Sequence, residues 1–424
     1  MTTMRSGTKR LGSAGPFRRR GHPAGRRVGL ALAVCLVGLL LWRATVLAQE
    51  DKPVSSHVYA YGETATFTLT FPTEPRPTEA RLYLRVSGQA PYAFSAFLEA
   101  TSVTVVRDLV VTPLPPFAEV TYWWDYVASD AQRLETEAQT FTYLDNRFTW
   151  QTASESGISV HWIVGERPQM IQALDVALNA LAEMHWTLQT NPSPQVDIYI
   201  YPSQQDMQSA MQIAGFEWAG ASVYPELGVI LVAIPPTREG LLNMDRDIPH
   251  ELTHAVLYDT LGAQGYASLP TWLNEGLAAH FEARPSPDYA VTLATSHQAK
   301  TLIPITELCA PFPDDANLAL LAYAESASFV NFLRQTYGWS SVRDLLFAYA
   351  DGMGCSTGAQ KTLNMELSQL DWNWRVWLEN RATHTAETSF RGAMTILLRD
   401  TGPWLLLFAA LLLPGIILIA VDRR

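Results

Sequence analysis

Positive charge is scarce outside the first 49 residues of this 424-residue sequence. Nine of its 30 lysine and arginine residues lie in residues 1–49, where there is no aspartate or glutamate. The rest of the chain therefore has 21 basic residues against 41 acidic ones. Because nucleic-acid binding depends on lysine and arginine that neutralise phosphates, this composition argues against a nucleic-acid partner.

Cysteine is equally scarce, with three residues in the whole chain. Cys35 lies within an apolar run near the start, which leaves Cys309 and Cys355 for the body of the protein. If that body is exported, as the chain ends indicate below, its oxidising surroundings permit a Cys309–Cys355 disulfide. Two free thiols are the alternative.

Apolar runs lie near both ends of the chain. The first follows a basic start and precedes residues 46–48, where small residues have a spacing that suits signal-peptidase cleavage. Residues 1–48 are therefore predicted to be a signal peptide or an uncleaved N-terminal membrane anchor. The second, residues 404–421, is longer and is followed by two arginines, which predicts a transmembrane helix with a cytoplasmic C-terminus. We therefore expect a cell-membrane protein whose folded part is extracytoplasmic and is joined to the helix by a linker at 382–403.

Two segments of different pattern lie between these ends. Polar and apolar residues alternate through residues 54–145, as in ETATFTLTF, which predicts short antiparallel strands packed as an immunoglobulin-like β-sandwich. Residues 150–381 begin with strands and continue as a mostly helical half, which predicts an α+β domain.

The stretch RDIPHELTHAVLYD carries the most specific chemical signal. On a helix, His250 and His254 lie on one face, so both imidazoles can reach the same ion. Glu251 lies beside the first of them, where its carboxylate can approach a metal-activated water. Asp247 is expected to cap this helix, with Pro249 in its first turn. A chance match on an ordinary amphipathic helix is the alternative.

A catalytic zinc site needs a third protein ligand and one open position. The stretch LPTWLNEGLAAHFE follows the motif and supplies Glu275 on a helix predicted to begin at Pro270. The small residues Gly276, Ala278 and Ala279 would allow this helix to pack closely on the motif helix.

HELTH followed by WLNEGLA resembles the gluzincin zinc metallopeptidases, and more closely the peptidase MA-like group of membrane-associated bacterial proteins. The resemblance covers roughly residues 157–381. It implies that His250, His254 and Glu275 bind Zn²⁺ and that Glu251 is the general base.

Two departures from the family pattern affect this prediction. Ala279 stands where thermolysin-like members have an acidic residue one turn after the ligand glutamate. The Gly-x-Met-Glu-Asn motif of zinc aminopeptidases is missing from the corresponding stretch, AGASVYPELGVILVA. We therefore expect an endopeptidase rather than an aminopeptidase.

Other side chains have weaker assignments. By the same resemblance Tyr323 could donate a hydrogen bond to the developing oxyanion, and a purely packing role is the alternative. Asn274 is a candidate to orient a neighbouring ligand, whereas His280 is expected at the surface or behind a ligand. Strand backbone near Ser222 or Val229 could hold an extended peptide.

The predicted fold class is α+β: a gluzincin-like zinc peptidase domain at 150–381, preceded by an immunoglobulin-like sandwich at 54–145 and followed by a transmembrane helix at 404–421. The predicted function is a membrane-tethered extracytoplasmic zinc metallopeptidase that acts on peptides or proteins. A non-catalytic zinc-containing surface module presenting the β-sandwich and a zinc hydrolase of non-peptide substrates are the alternatives.

Overall fold

Three β-sheets and eight helices make up the part of the chain that the computed structural model describes. These residues are 52–72, 77–87, 89–98, 101–128, 130–190, 194–211 and 221–381. The strands of the first two sheets are β1 (Val54–Ala60), β2 (Thr64–Thr70), β3 (Glu79–Val86), β4 (Tyr92–Ser95), β5 (Phe97–Leu98), β6 (Ser102–Asp108), β7 (Glu119–Val127), β8 (Arg133–Glu135) and β9 (Gln139–Thr142). One sheet has the order β1-β2-β6-β5 and the other β4-β3-β7-β8, with β9 also paired to β7.

Alternating side chains explain how these two antiparallel sheets pack. In β2 the buried residues are Ala65, Phe67 and Leu69, and the threonines between them are more exposed. Leu82 and Leu84 of β3 are buried in the same way. The apolar faces of both sheets contribute to one core, as expected when strands of period two pack face to face.

The third sheet is mixed and is interleaved with helices. Its strands are β10 (Gln151–Glu155), β11 (Ile158–Trp162), β12 (Val196–Tyr201), β13 (Ala221–Tyr224) and β14 (Val229–Ala233), in the order β10-β11-β12-β14-β13. The pairs β11–β12 and β12–β14 are parallel, and the two outer pairs are antiparallel. Parallel neighbours need a crossover connection; α1 (Arg167–Leu188) connects β11 to β12, and α2 (Gln204–Met211) follows β12.

The remaining helices are α3 (Arg238–Ala267), α4 (Thr271–Phe281), α5 (Pro287–Ala299), α6 (Ala316–Ala350), α7 (Cys355–Leu363) and α8 (367–381). The two longest, α3 and α6, each bend at a glycine with positive φ, Gly262 at 69° and Gly338 at 82°. Glycine adopts this backbone conformation without the steric cost that a side chain would impose.

The third sheet separates two cores. Along β12, Ile198 and Ile200 face the helices, whereas Tyr199 and Tyr201 face the first two sheets. The Tyr201 hydroxyl donates to Oδ2 of the fully buried Asp145 at 3.0 Å, and Arg147 forms an ion pair with the same carboxylate oxygen at 2.6 Å. The N-terminal strands are therefore held against the sheet by apolar packing and by a buried polar cluster.

The predicted fold class is wrong. Strands and helices alternate between 151 and 233, because the two parallel strand pairs need helical crossovers, and the described residues form a mixed α/β structure. The transmembrane helix is not supported: in the described part of the chain no helix is both long and apolar enough to cross a membrane. The segment 404–421, like 1–48 and 382–403, lies outside the described residues. The boundaries 54–145 and 150–381 stay predictions.

The predicted Cys309–Cys355 disulfide is confirmed. It joins the segment before α6 to the start of α7. The backbone N–H groups of Thr271 and Trp272, which open α4, donate to the carbonyls of Cys309 and Leu308 at 3.3 and 2.9 Å. The disulfide therefore stabilises the segment on which the N-terminus of α4 rests.

We predict that the double variant Cys309→Ala/Cys355→Ala lowers the free energy of unfolding by about 2–4 kcal/mol, because the unfolded chain loses a cross-link between residues 46 positions apart. Urea denaturation of the oxidised parent, the reduced parent and the variant measures the change. The reduced parent should match the variant. A variant as stable as the oxidised parent would contradict the prediction.

Glu325 on α6 is an acid fully enclosed by protein. Its Oε1 accepts a hydrogen bond from the backbone N–H of Ile303 at 2.9 Å, while Oε2 is buried without a hydrogen-bond partner. Burial raises the pKa of Glu325 to about 8, against the opposing effects of the Ile303 N–H and of Arg375. The carboxyl group is therefore mostly protonated at neutral pH.

We predict that Glu325→Gln weakens the dependence of stability on pH. The folded protein keeps this proton up to about pH 8, whereas an unfolded glutamate releases it near about pH 4.3. The parent's free energy of unfolding therefore falls as the pH rises through this window. The variant should avoid this loss, which is on the order of 2–5 kcal/mol at pH 8.

Denaturation at pH 5 and pH 8 checks this expectation. The exposed Glu379→Gln is the matched control and should follow the parent at both pH values. The same pH dependence in Glu325→Gln and the parent would refute it.

Candidate metal centre

The motif helix is α3, and it begins earlier than expected. Its N-cap is Thr237, whose hydroxyl accepts from the N–H of Gly240 at 3.1 Å, so Asp247 is not the cap and Pro249 lies in the helix interior. Proline has no N–H to offer the carbonyl four residues before it. That carbonyl, of Asp245, accepts instead from the backbone N–H of Arg284 at 3.1 Å. The carbonyl that Pro249 leaves free within the helix thus links the segment after α4 to the motif helix.

Helix α4, which carries Glu275, packs closely against α6 at Gly276. A Cβ atom at Gly276 would lie 2.6 Å from the carbonyl oxygen of Ser326 and 2.8 Å from a methyl carbon of Val330. Gly276, which was expected to allow close contact with the motif helix, therefore allows close contact with α6.

The three predicted ligands come together. Oε2 of Glu275 lies 3.4 Å from Nε2 of His250 and 3.6 Å from Nε2 of His254. Tetrahedral zinc with bonds of about 2.0–2.1 Å holds its donor atoms roughly 3.3–3.4 Å apart. Oε2 of Glu275 is also buried without a hydrogen-bond partner. Two imidazoles and one carboxylate thus fit a metal ion, and these residues could hold one.

A carboxylate orients the first histidine. Nδ1 of His250 lies 3.0 Å from Oε1 of Glu282, and the Tyr289 hydroxyl donates to the same oxygen at 3.3 Å. An ionised carboxylate only accepts, so Nδ1 carries the hydrogen and Nε2 is left as the ligand atom. Glu282 has 4% of its surface exposed, so this contact with His250 lies inside the protein.

An amide orients the second histidine in the same way. Nδ1 of His254 lies 3.1 Å from Oδ1 of Asn274, and Nδ2 of Asn274 donates to the Tyr266 hydroxyl at 3.2 Å. The orienting role expected of Asn274 agrees with this geometry. Both imidazoles therefore direct Nε2 toward Glu275.

The electrostatics favour a cation between these groups. Burial raises the pKa of Glu251, although His250 and His254 oppose the shift. Burial would also raise the pKa of Glu275, but the two imidazoles outweigh burial and lower it. Conversely, burial would lower the pKa of each histidine, and the neighbouring carboxylates raise it. The buried carboxyl groups of Glu251 and Glu282 and the partly buried one of Glu275 thus surround two imidazoles.

Tyr323 lies beside the ligands. Its ring centroid is 6.0 Å from that of His250. Burial, and then the charges of Glu275 and Glu251, raise the pKa of Tyr323 above its ordinary value. The hydroxyl therefore keeps its proton and can donate a hydrogen bond. The oxyanion role stays a prediction.

His280 lies apart from the ligand set. Its ring packs against Phe281 and Trp339, with centroids 5.4 and 5.0 Å away. Burial lowers its pKa to about 4.

Glu282, Tyr289 and Tyr266 were missed by sequence reasoning. The sequence signal for Glu282 is weak: it lies seven residues after Glu275, close to two helical turns, but beyond Phe281, where α4 ends.

Residues 176–380 match the family model described as Peptidase MA superfamily. This part of the chain is similar to the peptidase MA superfamily. It contains all three candidate ligands, Glu251 and Tyr323. No curated protein matches the sequence.

Solved structures match parts of the chain only weakly. They include a Br derivative of BhCBM56 (14% identity, 22% of this chain and 95% of that chain, TM-score 0.19). A polysaccharide deacetylase from Bacillus cereus has 9% identity over 38% of this chain and 54% of its own, with a TM-score of 0.20. A purple acid phosphatase from yellow lupin (Lupinus luteus) seeds has 8% identity over 44% and 35%, with a TM-score of 0.20. These similarities carry no functional conclusion, and the immunoglobulin-like assignment gains no support.

We predict that Glu282→Gln weakens the binding of Zn²⁺, used as the probe ion, about 10–100-fold, because His250 loses the carboxylate acceptor that orients it. Competition against a fluorescent chelator measures the affinity, and circular dichroism checks that the fold is kept. The exposed Glu307→Gln is the matched control and should bind zinc like the parent. Equal affinity of Glu282→Gln and the parent would contradict the orienting role.

Proposed function

We propose that this protein is a zinc metallopeptidase that cleaves peptide bonds within chains. The observation that carries the proposal is the convergence of His250 Nε2, His254 Nε2 and Glu275 Oε2, with the Glu251 carboxylate on the same helix beside the first ligand. A purely structural zinc site has four protein ligands. Here three donors converge among the described residues, which leaves a coordination position for chemistry.

Zinc is the proposed ion because two imidazoles and one carboxylate are a common catalytic donor set for it. When bound, Zn²⁺ would supply a Lewis acid that polarises the scissile carbonyl and makes a water molecule more acidic.

Glu251 is proposed as the general base. It is 9% exposed, and its raised pKa makes it a stronger base than a solvated glutamate. The carboxylate takes a proton from the attacking water and returns it to the nitrogen of the leaving amine, so the protein ends the cycle unchanged. Tyr323 is proposed to donate its hydroxyl hydrogen to the carbonyl oxygen as that oxygen gains negative charge.

Strand β13 is proposed to hold the peptide. Among the described residues it is one of the two edge strands of the third sheet, the one paired with β14, and it contains Ser222. Val229 belongs to β14, which is paired on both sides, so its backbone is not available for strand addition. An extended substrate paired with β13 would pass alongside α3, against which β13 packs.

The disulfide supports action in an oxidising compartment outside the cytoplasm. Endopeptidase rather than aminopeptidase action is proposed because the aminopeptidase motif is missing from the segment that leads into β14.

Glu251→Gln tests the mechanism. We expect the variant to bind zinc like the parent and to lose about 10²–10⁴-fold in turnover, because the shape of the side chain is kept and the base is removed. Digestion of a mixture of unstructured peptides, followed by mass spectrometry, measures cleavage with and without a zinc chelator. The matched control is Glu239→Gln, an exposed glutamate on the same helix. Undiminished cleavage by Glu251→Gln would rule out this base.

A further inference from the structure

A cavity of about 390 Å³ lies between α4, α5, α6 and α8. Small and apolar side chains form most of its wall, among them Ala279, Leu293, Ala327 and Trp377. Cavities that bind small ligands or side chains have volumes of roughly 300–1,000 Å³, so this one is large enough for a single bulky side chain.

The cavity adjoins the metal centre along two helices. Ala279 lies one turn after Glu275 on α4, and Ala327 lies one turn after Tyr323 on α6. One helical turn advances about 5.4 Å along the axis. The cavity thus begins about one helical turn after Glu275 on α4 and about one turn after Tyr323 on α6.

Tyr289 is a wall shared by the cavity and the centre. It lines the cavity, and its hydroxyl donates to Oε1 of Glu282, the oxygen that faces His250. A group that fills the cavity would therefore pack against the residue that helps to hold Glu282 in place.

The chemistry of the wall selects for an uncharged occupant. Of the described residues that line it, none is acidic. His280 also lines the cavity, and burial keeps it neutral at pH 7. The basic lining residue, Arg381, lies over the ring of Trp377 and donates to Gln335. A cationic side chain would lose its hydration here without gaining an opposite charge, and an anionic one would meet only an arginine that is already engaged by Trp377 and Gln335.

On the basis of the peptidase function proposed above, we propose that this cavity binds a bulky apolar or aromatic side chain of the peptide substrate close to the scissile bond. The substrate class is then an extended peptide with a residue such as Phe or Leu near the cleavage position. Leu293 and Ala327 are the residues that set this preference.

Direct binding tests the proposal without requiring turnover. The full-length protein carrying Glu251→Gln is loaded with zinc and titrated with four N-acetylated, C-amidated peptides Ala-Ala-X-Ala-Ala, where X is Phe, Ala, Asp or Lys. We expect the Phe peptide to bind about tenfold or more tightly than the Ala peptide, because the cavity removes the apolar surface of an aromatic side chain from water. The Asp and Lys peptides should bind no better than the Ala peptide.

Two substitutions locate the preference in the cavity. Ala327→Phe fills the space and should remove the advantage of the Phe peptide, whereas the matched control Ala316→Phe, at an exposed site on the same helix, should keep it. Leu293→Asp introduces a negative charge from a different helix and should make the Lys peptide the tightest ligand. Thermal unfolding of each variant checks its fold.

The outcomes separate this proposal from the proposed function. A parent that binds no peptide, that shows no preference for Phe, or whose preference survives both cavity variants overturns the subsite. If the preference follows the cavity as expected but protein with intact Glu251 cleaves nothing, the subsite stands and the peptidase function fails.

Discussion

Enclosing several carboxylates near one point inside a protein is unfavourable unless positive charge or hydrogen bonds compensate them. Glu251 and Glu282 are buried beside two imidazoles, and Oε2 of Glu275 is buried without a hydrogen-bond partner although that side chain as a whole is 17% exposed. A divalent cation among these groups would remove much of the cost. The surrounding helices are arranged so that the carboxylates cannot separate, and this constraint connects the fold to the chemistry.

Several independent contacts enforce the arrangement. Gly276 lets α4 lie against α6, which fixes the position of Glu275. Pro249 frees a carbonyl that binds the segment after α4, which brings Glu282 to His250. The disulfide supports the start of α4 from the other end. Behind the motif helix, the third sheet is covered on its opposite face by the N-terminal strands. Rigid elements of this kind hold ligand atoms within a few tenths of an ångström.

The closeness of His250 and His254 could be predicted from the sequence because the helical repeat places both on one face without reference to the rest of the chain. The strands at 54–145 could be predicted for a similar reason, because the alternation of polar and apolar residues is also a local pattern. Glu282 was harder to assign, because its position depends on where α4 ends and on the hydrogen bond between the Arg284 N–H and the Asp245 carbonyl. That bond forms because Pro249 has no N–H to offer the same carbonyl. The fold class failed because strand pairing within the third sheet joins residues far apart in sequence. Neither the cavity beside Tyr289 nor the buried cluster at Asp145 has a local pattern, since each is assembled from separate elements.

The fold and the proposed chemistry both require that one ion is bound jointly by the motif helix and by α4. A crystal structure of the zinc-loaded protein, with anomalous diffraction recorded on both sides of the zinc absorption edge, measures this binding. We expect a single strong anomalous peak about 2.0–2.2 Å from His250 Nε2, His254 Nε2 and a carboxylate oxygen of Glu275. A peak that lacks Glu275, or no peak between α3 and α4 in the zinc-loaded crystal, would contradict it.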